Sequence, residues 1–286
     1  MKNAKIDTRA IGLDVSLTFA KWLTGTENLH YGDWTGLDVC AANAGPAQEA
    51  YTDRLFGFLP KGKLRILDIG GGAGVTADKL LALGHHVEIV IPSAFLAERC
   101  RANAPAAVVH EMMFEDFASD SKFDVCLFSE SFQYIPLSEG MPKCLTLLQP
   151  QGRIIIADCF RDTGFRPDPV RATVGSGHGI VRFRDAVANL GLIVEREEDV
   201  TEAVAPSVEI EQGLFNIFGH AIARVDEELT AKRPNTRWII DRVLRMSIKA
   251  RKRARLQQRL MEKSRNRESF AASNIYLMMV LAQPHQ

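Results

Sequence analysis

The apolar positions of this chain change period twice. Near the N-terminus Leu13, Leu17, Phe19, Ala20 and Leu23 recur at helical spacing, and a second helical pattern runs from Pro46 to Phe58, stopped by Pro60 and Gly62. From residue 64 onward, short runs rich in isoleucine, valine and leucine fall at 64–69, 86–91, 106–110, 123–129, 152–158 and 191–197, with helical stretches after most of them. Regular alternation of this kind predicts a doubly wound, mostly parallel α/β sheet with ligand sites beyond the C-terminal ends of its strands. Helical spacing then returns over Val208–Leu229 and Thr236–Lys263, interrupted at Pro234-Asn235, and a last apolar run, Asn274–Ala282, supplies an antiparallel strand that completes a seven-stranded sheet. The expected layout is a helical lid over 1–60, an α/β core over 61–206 and 271–286, and a helical cap inserted at 207–270.

One stretch carries the sharpest signal. Leu64-Arg65-Ile66-Leu67-Asp68-Ile69 ends in a glycine turn, Gly70-Gly71-Gly72-Ala73-Gly74, and a helical pattern begins at once. Alternate glycines allow positive φ and close approach of a ligand to the backbone, while the helix N-terminus presents N–H groups to it. The dinucleotide fingerprint G-x-G-x-x-G is spaced differently: counted from Gly70 its last slot is Val75, and counted from Gly72 it is Ala77, a tolerated variant. Asp68, placed ahead of the turn, decides between the two.

Asp68, Gly70, Gly72 and Gly74 resemble the D-x-G-x-G-x-G motif of class I S-adenosylmethionine-dependent methyltransferases, the Rossmann-like fold with a seven-stranded sheet. Leu148-Gln149-Pro150-Gln151-Gly152 is similar to that family's turn into the fifth strand, so the resemblance spans about residues 60–200. It implies S-adenosylmethionine as cofactor, with Asp68, Gly70, Gly71, Gly72 and Gly74 around its methionine part and Glu130 at its amino group. Two slots depart from the family. Where an acid usually binds the ribose hydroxyls stands Ile91, and where an aspartate commonly reads adenine stands Met113, whose pairing with Phe114 suits a sandwich of the ring by dispersion and sulfur contact. Weaker affinity, an altered cofactor orientation, and compensation by Glu88 or the lid are the alternatives these slots leave open.

Groups for chemistry are expected on the loops after the strands. Ser129-Glu130-Ser131-Phe132-Gln133-Tyr134 follows the fourth strand, and Gly175-Ser176-Gly177-His178-Gly179 lies in the loop after the fifth. An imidazole on a glycine-flanked loop suits a general base, which makes His178 a catalytic candidate, with a solvated loop histidine as the alternative. His30 and Tyr31, in the turn Leu29-His30-Tyr31-Gly32, and Tyr134 are further candidates around the reacting centre, with simple packing as the competing role. Glu130 has a competing role too, at a helix N-terminus. The apolar face of Ile210, Leu214, Phe215, Ile217, Phe218 and Ile222 is expected to be either plain core or the wall of a hydrophobic acceptor pocket, and the second role suits a lipid, terpenoid, polyketide or carrier-bound acyl group.

Composition narrows this picture little. Hydrophobic residues make up 46% and charged residues 24%, ordinary for a globular enzyme, and the five cysteines have no metal-ligand spacing. With no long apolar run and a polar Met1–Arg9, a cytoplasmic protein is the expectation. The zero net charge hides an asymmetry: Arg242–Arg267 holds eleven Lys or Arg and one acid, leaving 24 basic against 34 acidic residues elsewhere. Such a segment suits an acidic acyl carrier protein or an anionic membrane surface; nucleic acid is disfavoured by the acidic body, and a homodimer stays open. The expected reaction is in-line methyl transfer to a small apolar acceptor. The rivals are a cyclase releasing methylthioadenosine, a cyclopropane-forming enzyme (whose Glu-His pair is Gln133-Tyr134 here), a non-catalytic cofactor-binding module and an RNA methyltransferase.

Overall fold

The computed structural model describes residues 8–166, 174–261 and 265–284. Two helices, α1 (Thr8–Thr24) and α2 (Ala44–Phe56), precede the sheet. The alternating region then gives β1 (Arg65–Ile69), α3 (Val75–Ala82), β2 (His86–Val90), α4 (Ala94–Asn103), β3 (Val108–His110), β4 (Phe123–Ser129), α5 (Leu137–Leu147), β5 (Leu148–Arg161), α6 (Ile180–Asn189) and β6 (Ile193–Asp199). Next come α7 (Thr201–Val204), α8 (Pro206–Lys232), α9 (Pro234–Ser247), α10 (Ala250–Met261), α11 (Arg267–Ala271) and β7 (Asn274–Ala282).

The seven strands form one sheet in the order β3-β2-β1-β4-β5-β7-β6, parallel except for β7, which runs antiparallel between β5 and β6. The order reverses between β1 and β4, where Ile66 pairs with Val125 and Asp68 with Leu127, and that reversal opens a crevice at the strands' C-terminal ends. Alternation in the strands feeds two apolar layers. Ile66, Val125, Ile155, Tyr276 and Met278 lie in one, with Tyr51 and Leu55 of α2; Leu67, Cys126, Phe128, Ile156 and Met279 lie in the other, with Phe183 of α6. The fold thus matches the expected class.

The differences in detail have local causes. β3 starts at Val108 because Ala107 closes a turn onto the Ala104 carbonyl, and β5 starts early, at Leu148, with a register shift opposite Phe123–Val125. The helical insertion has three long helices, not two. Pro234 pushes Arg233 out of helical geometry, and Ile248 is extended (φ −122°, ψ 121°), which separates α9 from α10. Gly219 makes the α8–α10 contact close, since a Cβ there would stand 1.9 Å from the Leu260 carbonyl oxygen. No helix among the described residues is long and apolar enough to cross a membrane.

Asn274 joins three segments at the start of β7. Its buried amide donates to the carbonyls of Val174 (3.1 Å) and Phe270 (2.8 Å) and accepts from Arg161 (2.8 Å). At about 1 kcal/mol net per bond, offset in part by relaxation, Asn274→Ala should lower stability by about 2 kcal/mol in urea unfolding.

Candidate functional site

The crevice at the β1–β4 switch holds a cavity of about 600 Å³. Its floor is the glycine turn after β1. Gly70 (φ +78°) sits so close to the loop after β4 that a Cβ would lie 2.5 Å from Ser131 Cβ, and the Ser131 hydroxyl donates to the Ile69 carbonyl. Gly74 (φ +87°) starts α3, and a Cβ there would press within 2.8 Å of Cys100 Cα on α4. The turn is therefore wedged between two neighbours, and side chains are excluded where it faces them.

Asp68 ends β1 beside this turn, 1% exposed, with Oδ2 lacking any hydrogen-bond partner among the described residues. A Cβ on Gly71 would come 2.5 Å from that oxygen. Burial pushes the carboxyl up to about 7. Glu130, in left-handed backbone (φ 56°), has one oxygen accepting from the Tyr31 backbone N–H (2.6 Å) and the Tyr276 hydroxyl (3.0 Å). Tyr276 in turn meets the Tyr51 hydroxyl at 2.7 Å. Burial outweighs those bonds and raises Glu130 to about 8. Asp158 at β5, likewise raised to about 7 by burial, accepts from the N–H groups of Cys159 (2.7 Å) and Gln133 (3.0 Å) and so pins the turn after β4.

The lid closes the other side. Glu27 accepts four hydrogen bonds: two from Arg99 on α4 (2.8 and 2.7 Å), one from Lys21 (2.8 Å) and one from Asn103 (2.7 Å). Burial alone would raise its pKa, but these partners hold it at about 2. His30 stacks on Tyr51 at 4.5 Å, and its Nδ1–H donates to the Tyr31 carbonyl (2.7 Å). Burial lowers its pKa to about 4, so the ring is neutral near neutral pH and Nε2, 3.3 Å from Thr52 Oγ1, is the bare nitrogen.

The cavity wall brings together most of the residues expected from sequence: Asp68, Gly70, Gly71, Gly72, Ile91, Met113, Phe114, Glu130, His30 and Tyr134. Met113 is half-exposed at the wall while Phe114 is buried edge-on against Phe128, so the two do not form a free sandwich. Tyr134 stands exposed at the rim, and Tyr31 points elsewhere, edge-on to Phe270 at 5.9 Å, serving the cavity through its backbone. Gly74 lies outside the wall.

Several expectations change. His178 does not reach the cavity; its Nε2–H donates to the Ile135 carbonyl (2.9 Å) and lies 3.3 Å from that of Phe132, which ties down the loop after β5. Residues 167–173 of that loop lie outside the described residues. Glu88 is occupied by Arg65 and His110, so it does not replace the missing ribose acid. No wall residue comes from α8–α10; Ile217, Phe218 and Ile222 are exposed instead of lining a pocket. The basic segment is partly consumed inside the molecule, Arg259 and Arg265 by Glu211 and Arg267 by Glu209. Unforeseen wall residues are Glu27, Asn28 and Ser93, and the unforeseen supports behind Glu130 are Tyr51 and Tyr276. Only the closeness of Glu27 and Asn28 to the Leu29–Gly32 turn hinted at any of them.

Residues 67–156 match a family described as a methyltransferase domain. Ubiquinone biosynthesis O-methyltransferase of Rhodopseudomonas palustris is 28% identical over 104 residues, 35% of this chain and 41% of that enzyme, so the match spans less than half of the curated relative. The cyclopropane synthase MmaA2 from Mycobacterium tuberculosis superposes with a TM-score of 0.67 at 14% identity, over 99% of this chain and all of that one (100%). Geranyl diphosphate C-methyltransferase from Streptomyces coelicolor A3(2), solved with S-adenosyl-L-homocysteine, gives 0.62 at 15% identity over 98% and 100%. At these identities the superpositions establish the fold. Residues 67–156 thus resemble a methyltransferase domain, and the fold around them is the one these solved structures share.

The raised carboxyls have a consequence for the ligand-free protein. A folded-state pKa above the unfolded one favours the acid form, so the stability it confers is complete below about pH 4 and is lost as pH rises through about 7–8. His30, lowered from 6.5 to about 4, acts oppositely, losing stability as pH falls across that window. Asp68→Asn isolates one carboxyl: its stability relative to wild type should climb between about pH 4 and 7 and level off above, as read by thermal melts across pH.

Proposed function

We propose that this protein transfers the methyl group of S-adenosylmethionine to a small, mostly apolar acceptor that enters beside Met113, Ile135 and Tyr134. The observation that carries the reading is the pair of buried carboxyls, Asp68 and Glu130, in one cavity without a basic side chain bonded to either. Carboxyls kept from water and from cations favour a cationic ligand that restores the balance. The donor set fits a sulfonium-bearing amino acid nucleoside: the open carboxylate oxygen of Asp68, the space left by Gly71, and Glu130 for the amino group. Asn28 and Ser93 supply polar atoms to the same cavity wall as Ile91, whereas Glu27 is already saturated and fixes the lid to α4.

When bound, the cofactor supplies an activated methyl group, and the protein's contribution is chiefly alignment and exclusion of water. Glu130 couples the two sides: through the Tyr31 N–H it holds the lid, and through Tyr276 and Tyr51 it is anchored to the sheet. His30 belongs to the wall with a neutral ring, a weak base that suits an acceptor already poised to lose its proton. Apolar groups in the lining, including Leu13, Leu29 and Phe95, support an apolar acceptor.

Calorimetric titration of the folded chain with S-adenosylmethionine and S-adenosylhomocysteine tests this. Affinity for the cationic cofactor should rise with pH through about 7–8 as Asp68 and Glu130 ionise, more steeply than for the uncharged-sulfur product. Asp68→Asn should weaken binding roughly 10–100-fold, the range of one lost charge-assisted contact. No affinity for either compound would sink the proposal. Methylthioadenosine in place of S-adenosylhomocysteine during turnover would redirect it to cyclisation of the cofactor's own side chain.

A further inference from the structure

The helix α9 leaves its apolar side uncovered. Arg237 ties it to α8 through a two-pronged pair with Asp226 (2.9 and 3.0 Å), and every residue of the helix except Asp241 is exposed. Its apolar edge, Ile239, Ile240, Val243, Leu244 and Met246, stands between 43% and 82% exposed, and none of its residues is buried. Trp238 is exposed as well, with the Arg242 guanidinium 5.8 Å from its ring. A row of aliphatic side chains left exposed forfeits burial, so something other than this chain is expected to cover it.

Charge decides what covers it. Arg242, Lys249, Arg251, Lys252 and Arg255 are exposed and pair with no acid among the described residues, unlike Arg237, Arg245, Arg259, Arg265 and Arg267. A second copy docked about a twofold axis would bring this cationic surface against itself. An anionic phospholipid surface offers headgroup charge to the cations and hydrocarbon to the aliphatic face, with tryptophan at home between them. We infer that α9, with the basic turn of α10, lays this protein onto anionic bilayers. At 14 residues α9 lies in the interface and does not span it. The docking is separate from methyl transfer, which neither requires nor is required by it.

The full chain is mixed with phosphatidylcholine vesicles and with vesicles that also contain phosphatidylglycerol, and bound protein is measured by co-sedimentation. Binding to the anionic vesicles should exceed that to neutral ones by about tenfold or more and fall with salt. In a Trp22→Phe background, leaving buried Trp34 and exposed Trp238, emission should shift to the blue on binding. Val243→Ser/Met246→Ser and, separately, Arg251→Ser/Lys252→Ser/Arg255→Ser should each weaken vesicle binding about tenfold or more, with melting temperature and S-adenosylhomocysteine affinity unchanged. The inference is overturned if folded protein ignores anionic vesicles or binds neutral ones equally. It is also overturned if light scattering finds a dimer that the Val243→Ser/Met246→Ser variant dissociates.

Discussion

Carboxyl groups held out of water without a matching cation are the constraint around which this molecule is arranged. Asp68 closes β1 with one oxygen unpartnered, and Glu130 leaves β4 through a backbone conformation that few side chains adopt. Neither placement helps the free protein fold. Both cost free energy, and the surrounding sheet offsets that cost through the two apolar layers on its faces. The β1–β4 switch is where such a cost can be tolerated, because the strands there are the most central of the sheet while their C-terminal ends remain open to a ligand.

The lid is joined to the same carboxyls. Tyr31 presents its N–H to Glu130, the Gly32 N–H and Trp34 indole both donate to Ser207 at 2.9 Å, and Glu27 grips Arg99 and Asn103 of α4. The segment between α1 and α2 thereby touches the loop after β4, the start of α8 and the helix after β2. Any change that moves Glu130 is therefore felt by the lid, and anything that fills the cavity meets both. The insertion after α7 plays another part: its root packs on Trp34 through Ile210, whereas its far helix α9 leaves an aliphatic row exposed.

The glycine turn, the seven strands and the antiparallel return were legible because each rests on local pattern: period-two apolar runs, glycine where φ must be positive, an acid at a strand end. Most of the proposed cofactor residues follow from the same stretch and from the loop after β4. His178 was misread because a glycine-flanked loop looks open in sequence, while the fold lays it against the Ile135 carbonyl. The face of α8 was read as core or pocket wall because periodicity gives a stripe but no direction. Tyr51 and Tyr276 left no signal, since the partners that matter lie 225 or 146 residues away.

The order of strands, turn and helices, and with it the location of a ligand crevice, was determined by the chain itself, since hydrophobic period and glycine conformation are properties of neighbours in sequence. Which carboxyls lose water, which histidine stays neutral, and whether the aliphatic row of α9 is covered were decided only by the packed structure. Burial and the pairing of distant polar groups depend on everything that surrounds a side chain, and no window of sequence contains that information.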